Sequence, residues 1–138
     1  MNEFILDCSA TLPWIFANEA TPATEALLDT LANNGRAWVP TLWHLEIANV
    51  MLGAQRRGLI DRAGMEQFFS TLNTLDIEVD EETIPIAWTR TLGLAETYGL
   101  TAYDAAYLEL TLRKGLPLAS LDKALRKACS KAGGKLLL

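Results

Sequence analysis

Asp104 and Asp122 bracket the stretch LTAYDAAYLELTLRKGLPLASLD that runs from Leu100 to Asp122. The first stands where a helix should begin and the second just after a short apolar run. Those are the two backbone positions from which an α/β protein most readily aims side chains into one cleft. Two further acids are placed to join them: Asp7, directly after the apolar Phe4-Ile5-Leu6, and Glu46, in the helix that follows Ala37-Trp38-Val39. Four carboxylates in one cleft repel one another and stay partly protonated unless a cation neutralises them. Mg2+ or Mn2+ is the fitting ion, because hard cations take oxygen ligands and Mg2+ keeps water and substrate phosphate in its shell. The common use of such an acid-only set is phosphoester hydrolysis by metal-activated water.

Each of these acids also has an ordinary structural use. Thr101-x-x-Asp104 resembles a capping box, Asp122 suits an N-cap, and Asp7 can cap a helix beginning near Ser9. Glu46 is the least easily explained that way. At about 100° per residue it falls about 160° from His44, on the side that carries Leu42, Asn49 and Val50, where a carboxylate is paired, metal-bound or at a cleft edge. Other chemistries lack their residues. The one histidine, His44, leaves no Ser-His-Asp triad or histidine metal site. No Gly-rich phosphate loop or Gly-x-Gly-x-x-Gly fingerprint is present.

The elements that must hold these side chains alternate. Short apolar strands are expected at Phe4–Leu6, Ala37–Val39, Ile77–Val79 and Leu116–Ser120, with a last one at Lys135–Leu138. Helices are expected from Thr21-Pro22 to about Asn33, from a Thr41 N-cap through Leu42 to about Arg57, and from an Asp61 cap to about Thr74. Further helices should run over Thr83–Tyr98 with Pro85 in the first turn, from about Thr101 to Lys114, and from Asp122 to about Ala132. Alternation of this kind gives a parallel sheet with helices on both faces.

The 138 residues suit one domain spanning 1–138, large enough to bury a core without disulfides or a structural metal. No apolar run is long enough to span a membrane, and Met1-Asn2-Glu3 is no basic signal sequence, so a cytoplasmic protein is expected. Cys8 and Cys129 fit no metal-binding spacing and read as reduced thiols. The net charge of −5 argues on its face against a nucleic-acid partner, but the charge is unevenly spread. Residues 113–138 hold seven of the twelve basic groups (Arg113, Lys114, Lys123, Arg126, Lys127, Lys131, Lys135) against one acid, Asp122. With four acids reserved for metal, the rest of the chain is close to neutral with a basic C-terminal quarter.

The wording around the acids resembles that of the PIN-domain family, and most of all its VapC-type toxins from bacterial type II toxin–antitoxin modules. The resemblance rests on Phe-Ile-Leu-Asp7-Cys-Ser9, Leu-Glu46-Ile-Ala-Asn49-Val, Leu-Thr101-Ala-Tyr-Asp104-Ala-Ala-Tyr and Leu-Pro-Leu-Ala-Ser120-Leu-Asp122-Lys-Ala-Leu. It implies a three-layer sandwich whose parallel sheet has strand order 3-2-1-4-5. It also implies Mg2+- or Mn2+-dependent endoribonuclease activity, a homodimer and neutralisation by a cognate antitoxin. Carried over by position, Asp7, Glu46, Asp104 and Asp122 form the acidic, metal-binding site. Ser9 and Thr101 become supporting hydroxyls, with Asn49 and Ser120 beside them; Ser120 stands where the pattern more often has threonine.

Lys123, Arg126 and Lys127 are placed to hold the RNA backbone, although a basic run at a helix end also complements the helix dipole. Trp14, Trp38, Trp43 and Trp88 are core residues or part of a partner surface. Two rival functions remain open. One is a non-catalytic RNA- or protein-binding module on the same fold; the other is a metal-dependent phosphomonoesterase, which the Asp7-Cys8-Ser9 wording disfavours for want of an Asp-x-Asp.

Overall fold

A computed structural model describes residues 2–138. Strands β1 (Glu3–Leu6), β2 (Arg36–Val39), β3 (Ile77–Val79) and β4 (Leu118–Ala119) form one wholly parallel sheet in the order β3-β2-β1-β4. Phe4, Ile5, Leu6, Ala37, Val39, Leu118 and Ala119 are all buried, as expected when helices cover both faces of a parallel sheet. The helices are α1 (Cys8–Thr11), α2 (Pro22–Ala32), α3 (Trp43–Arg56), α4 (Arg62–Asn73), α5 (Leu92–Tyr98), α6 (Ala102–Lys114) and α7 (Lys123–Lys131). The result is the three-layer α/β sandwich expected from the alternation of elements.

Side chains at the helix starts fix the entry of most of these elements. Thr21 and Thr24 form a reciprocal capping box at α2, with Pro22 at the first position. Asp61 accepts from Gly64 N–H at 2.8 Å, Thr101 from Asp104 N–H at 3.1 Å and Asp122 from Leu125 N–H at 2.8 Å. Gly99 and Gly115 close α5 and α6 at φ of 65° and 64°, the left-handed region that glycine enters at no steric cost. Seven successive residues of α6, Ala105 to Thr111, are buried, so this helix is enclosed on every side.

Four local expectations change. Thr41 does not cap α3: the capping position falls at Leu42, and the turn closes through the backbone, Trp43 N–H donating to Pro40 C=O at 3.1 Å. The helix expected from Thr83 starts only at Ala87, because Thr83 donates to Asp80 Oδ2 at 3.1 Å and holds residues 83–86 in turns. Its first stretch, Ala87–Thr91, is a π-turn. The strand expected over Leu116–Ser120 shortens to two residues, Leu118–Ala119, just after Pro117, which has no N–H to donate. The expected last strand is a single parallel bridge, Leu118 to Leu136, secured by Leu118 N–H to Lys135 C=O at 2.9 Å and Leu137 N–H to Leu118 C=O at 2.8 Å. A β4 of two residues can support no more, so the fifth position of the order is filled without a full strand.

Trp43 is core, Trp14 and Trp38 are half-buried, and Trp88 is 90% exposed. Among the described residues no helix is long and apolar enough to cross a membrane.

Candidate active site

The four acids come from four separate elements and meet at one end of the sheet. Asp7 follows β1, Glu46 lies in the first turn of α3 just beyond β2, Asp104 lies in the first turn of α6, and Asp122 caps α7 just beyond β4. Carboxyl ends of parallel strands and amino ends of helices share this edge, which is where open α/β sheets bind ligands.

Asp7 is the buried centre. Its Oδ2 accepts from Ser9 Oγ at 2.6 Å and from Ser120 Oγ at 2.7 Å, and the two hydroxyls stand 3.4 Å apart. Ser9 Oγ accepts from Leu121 N–H at 2.8 Å, and Ser120 Oγ from Asp122 N–H at 3.1 Å. The two serines thus tie the end of β1 to the end of β4 and place Asp122 beside Asp7. Arg126 Nη1 donates to Ser120 C=O at 3.0 Å and braces the same corner from α7. On the other side, the buried Tyr107 hydroxyl donates to Glu46 Oε1.

The electrostatics agree with this grouping. Burial pushes Asp7 above its ordinary value, Asp122 adds to the shift, and the hydroxyls of Ser9 and Ser120 oppose it. Burial also raises Glu46; the Tyr107 hydroxyl opposes that, while Asp7 and Asp104 add to it. Asp104 is pushed up to about 6, by burial first and then by the charges of Asp122 and Asp7. Cys8 is pushed up to about 12, by burial first and then by Glu46 and Asp7, so its thiol stays protonated and unreactive. Cys129 is likewise buried and free.

The remaining site candidates separate. Thr101 is spent on the α6 cap and bonds no site carboxylate, and Asn49 is exposed with no side-chain hydrogen bond among the described residues. Lys123 and Lys127 are exposed, whereas Arg126 is half-buried against Ser120. His44 is turned from the acids and lines a cleft of about 310 Å3 with Trp43, Ile47, Phe69 and Asn73. Tyr107 was absent from the expected set, because a tyrosine inside an apolar run reads as core. The signal was its spacing, one turn beyond Asp104 on α6.

The donor set fits a hard divalent cation: it is all oxygen, and its members raise one another's proton affinity, a cost that a cation would remove. Among the described residues no three His, Cys, Asp or Glu side chains are grouped tightly enough to hold a metal ion by themselves. Mg2+ does not need such a cage, being held ordinarily by one or two carboxylates with water and substrate phosphate.

Comparison with known families and structures agrees with this layout. The PIN domain family matches residues 4–131. The chain belongs to that family. PIN domains are generally nucleases, and this chain carries the PIN fold. Among solved structures it is similar to PAE2754 from Pyrobaculum aerophilum, at 20% identity and TM-score 0.68, covering 92% of this chain and 84% of that one. It is also similar to FitAcB from Neisseria gonorrhoeae, at 18% identity and TM-score 0.60, covering 92% and 93%. A chain of a toxin–antitoxin complex from Klebsiella pneumoniae is similar as well, at 17% identity and TM-score 0.53, covering 86% of each. A comparison with curated protein sequences returned no match.

Two substitutions probe the support of the acids. Tyr107→Phe removes the hydroxyl that stabilises ionised Glu46, so the Glu46 pKa should rise; a carboxyl-carbon NMR titration of wild type and variant measures it, and an unchanged value would remove Tyr107 from this role. Ser120→Ala removes one of the two hydroxyls on a buried carboxylate and should cost about 1–3 kcal/mol in denaturant unfolding at neutral pH. Ser120→Thr, which keeps the hydroxyl, should recover most of that.

Proposed function

We propose that this PIN protein is a cytoplasmic, Mg2+- or Mn2+-dependent endoribonuclease and the toxin of a type II toxin–antitoxin module. The observation that carries the reading is the meeting of Asp7, Glu46, Asp104 and Asp122 at the carboxyl edge of the sheet in a chain of a nuclease family. A bound Mg2+ or Mn2+ would supply Lewis-acid stabilisation of charge at the scissile phosphate and of the attacking water. The chain's own part is to position. Ser9 and Ser120 hold Asp7 in one orientation, Tyr107 holds Glu46, and the caps of α6 and α7 fix where Asp104 and Asp122 emerge. Lys123 and Lys127, exposed on the helix that Asp122 opens, would attract the RNA backbone.

An antitoxin partner is supported by the likeness to a chain in a toxin–antitoxin complex and by two clefts beside α4 that none of the four acids lines. The second cleft, about 250 Å3, is bordered by Trp14, Ile15, Leu28 and Phe68. Clefts of this kind can take the apolar anchor side chains of a partner helix. The exposed row Ile84, Trp88 and Leu92 supports self-association into a homodimer.

The test is incubation of purified, partner-free protein with total cellular RNA, with and without Mg2+ or Mn2+. Discrete, metal-dependent cuts that vanish in Asp104→Asn support the reading. Folded protein that cuts nothing with either metal points to the binding-module alternative.

A further inference from the structure

A groove between α5 and α7 carries two lysines on its wall, which neither cleft beside α4 does. It measures about 330 Å3, and Tyr98, Leu100, Ala124, Lys127, Ala128 and Lys131 contribute to its walls. Its position follows from the chain path. Leu100 immediately precedes Thr101, the cap of the helix that delivers Asp104, and Ala124 lies two residues after Asp122. One wall therefore leads to Asp104 and the other starts from Asp122.

The charge of the groove is unanswered by the protein. Lys127 and Lys131 stand one turn apart on the same face of α7, both exposed, and among the described residues neither has an acidic partner within ion-pair distance. No acid occurs anywhere from Lys123 to Leu138. Glu96 on α5 is not among the groove's lining residues. Along the helix axis Lys127 lies about 7.5 Å beyond Asp122 and Lys131 about 13.5 Å beyond it. The half-buried Tyr98 packs against the core and also lines this groove. A basic track with an aromatic platform is the arrangement that holds single-stranded nucleic acid, through phosphates on the lysines and a base on the ring.

We infer that the Tyr98–Lys127–Lys131 groove is a subsite for the single-stranded RNA that flanks the scissile phosphate, one base stacking on Tyr98 while Lys127 and Lys131 take successive phosphates. The inference rests on the nuclease reading above. It adds a location and a polarity: the strand leaves the acids along α7 and enters neither cleft beside α4. It also assigns a function to Lys131 and Tyr98, and it separates them from Arg126, whose guanidinium braces Ser120.

Steady-state kinetics on one single-stranded RNA with Mn2+ test it, using wild type, Lys127→Ala/Lys131→Ala, Tyr98→Leu, Tyr98→Phe and, as a control of equal charge change, Arg56→Ala/Arg57→Ala. Binding of the same RNA to Asp104→Asn, with and without the lysine changes, is followed by fluorescence anisotropy against salt. The lysine pair should raise KM about tenfold with kcat nearly unchanged, and should flatten the slope of log affinity against log salt by about 1.4, the value for two lost phosphate contacts on a single strand. Tyr98→Leu should raise KM about five- to tenfold, and Tyr98→Phe should behave as wild type because it keeps the ring.

A lysine variant whose KM and salt slope match those of the arginine control overturns the subsite while the nuclease reading stands. Loss of binding to a polyglutamate peptide in that same variant, with RNA kinetics unchanged, would assign the groove to an acidic peptide instead. Folded wild type that neither cuts nor binds RNA overturns both.

Discussion

Asp104→Asn should abolish metal-dependent RNA cleavage, by about 10³-fold or more, while making the metal-free protein more stable. The two effects have one cause. Asp104 lies half-buried beside Asp122 and Asp7, and burial with those charges pushes it up to about 6 from an ordinary 3.8. A carboxyl whose folded pKa is raised costs stability wherever it must ionise. The cost is fully present above the folded value of about 6 and is gone once pH falls below the unfolded value. Asn keeps the shape and removes the charge. In a melt without metal at pH 7 the variant should exceed wild type by about 1–2 kcal/mol, a figure reduced for the solvent that screens a half-exposed group. The gap should close as pH falls toward 4. Adding Mn2+ should raise the melting temperature of wild type and do much less for the variant. A metal-free variant that melts well below wild type would mean that Asp104 is held by contacts that offset its repulsion.

The second large effect lies in a cluster of charges apart from the four acids. Arg113 donates to Asp80 Oδ2 at 2.6 Å, Glu109 Oε2 at 2.9 Å and Glu82 Oε2 at 2.9 Å. The Glu109 side chain is 1% exposed and that of Asp80 6%, and both hydrogen-bond to this guanidinium, Asp80 also accepting from Thr83. Burial alone would raise Asp80, but the Arg113 hydrogen bonds, the Thr83 hydroxyl and the charges of Arg113 and Lys114 bring it below its ordinary value.

Arg113→Met strands two buried carboxylates and should cost about 3–5 kcal/mol, a fall in Tm of about 10 °C or more. Because a depressed carboxylate contributes stability above its unfolded pKa and loses it as pH drops through the folded value, the gap between variant and wild type should be widest at neutral pH and narrow below about pH 4. Adding Asp80→Asn and Glu109→Gln to Arg113→Met should restore part of the loss. A Tm within about 2 °C of wild type for Arg113→Met alone would show that water replaces the guanidinium.

How far each feature could be read from sequence depended on whether its cause was local. The positions of Asp7, Asp104 and Asp122 at a strand end and at helix starts were legible because the adjacent residues mark those boundaries. The separation of Glu46 from His44 was legible from helical periodicity. The strand order was expected from the resemblance, and β3-β2-β1-β4 is what the structure has. Pairings between distant residues were not legible. Nothing local to Arg113 names Asp80, 33 positions earlier, as its partner. One clue was available: Glu109 interrupts an apolar run on a helix with no exposed side, and an acid there must be paired. Tyr107 has the same explanation, since its partner Glu46 lies 61 positions away. The late start of the helix before α5 was missed because a threonine-to-aspartate bond overrides a sequence that reads as helical.

The way the sheet is finished limits how anything can attach to this protein. One outer strand, β3, offers three residues, with Glu78 exposed at its middle. At the other side, both backbone groups of Leu118 on its outer edge are already taken by Lys135 and Leu137. Neither margin presents the long unpaired backbone that strand addition and cross-β self-association require. Recognition of this protein must therefore be written in side chains, on helix faces and in the clefts between them. Partner choice can then change by surface substitution without disturbing the hydrogen-bond ladder that sets the acids in place.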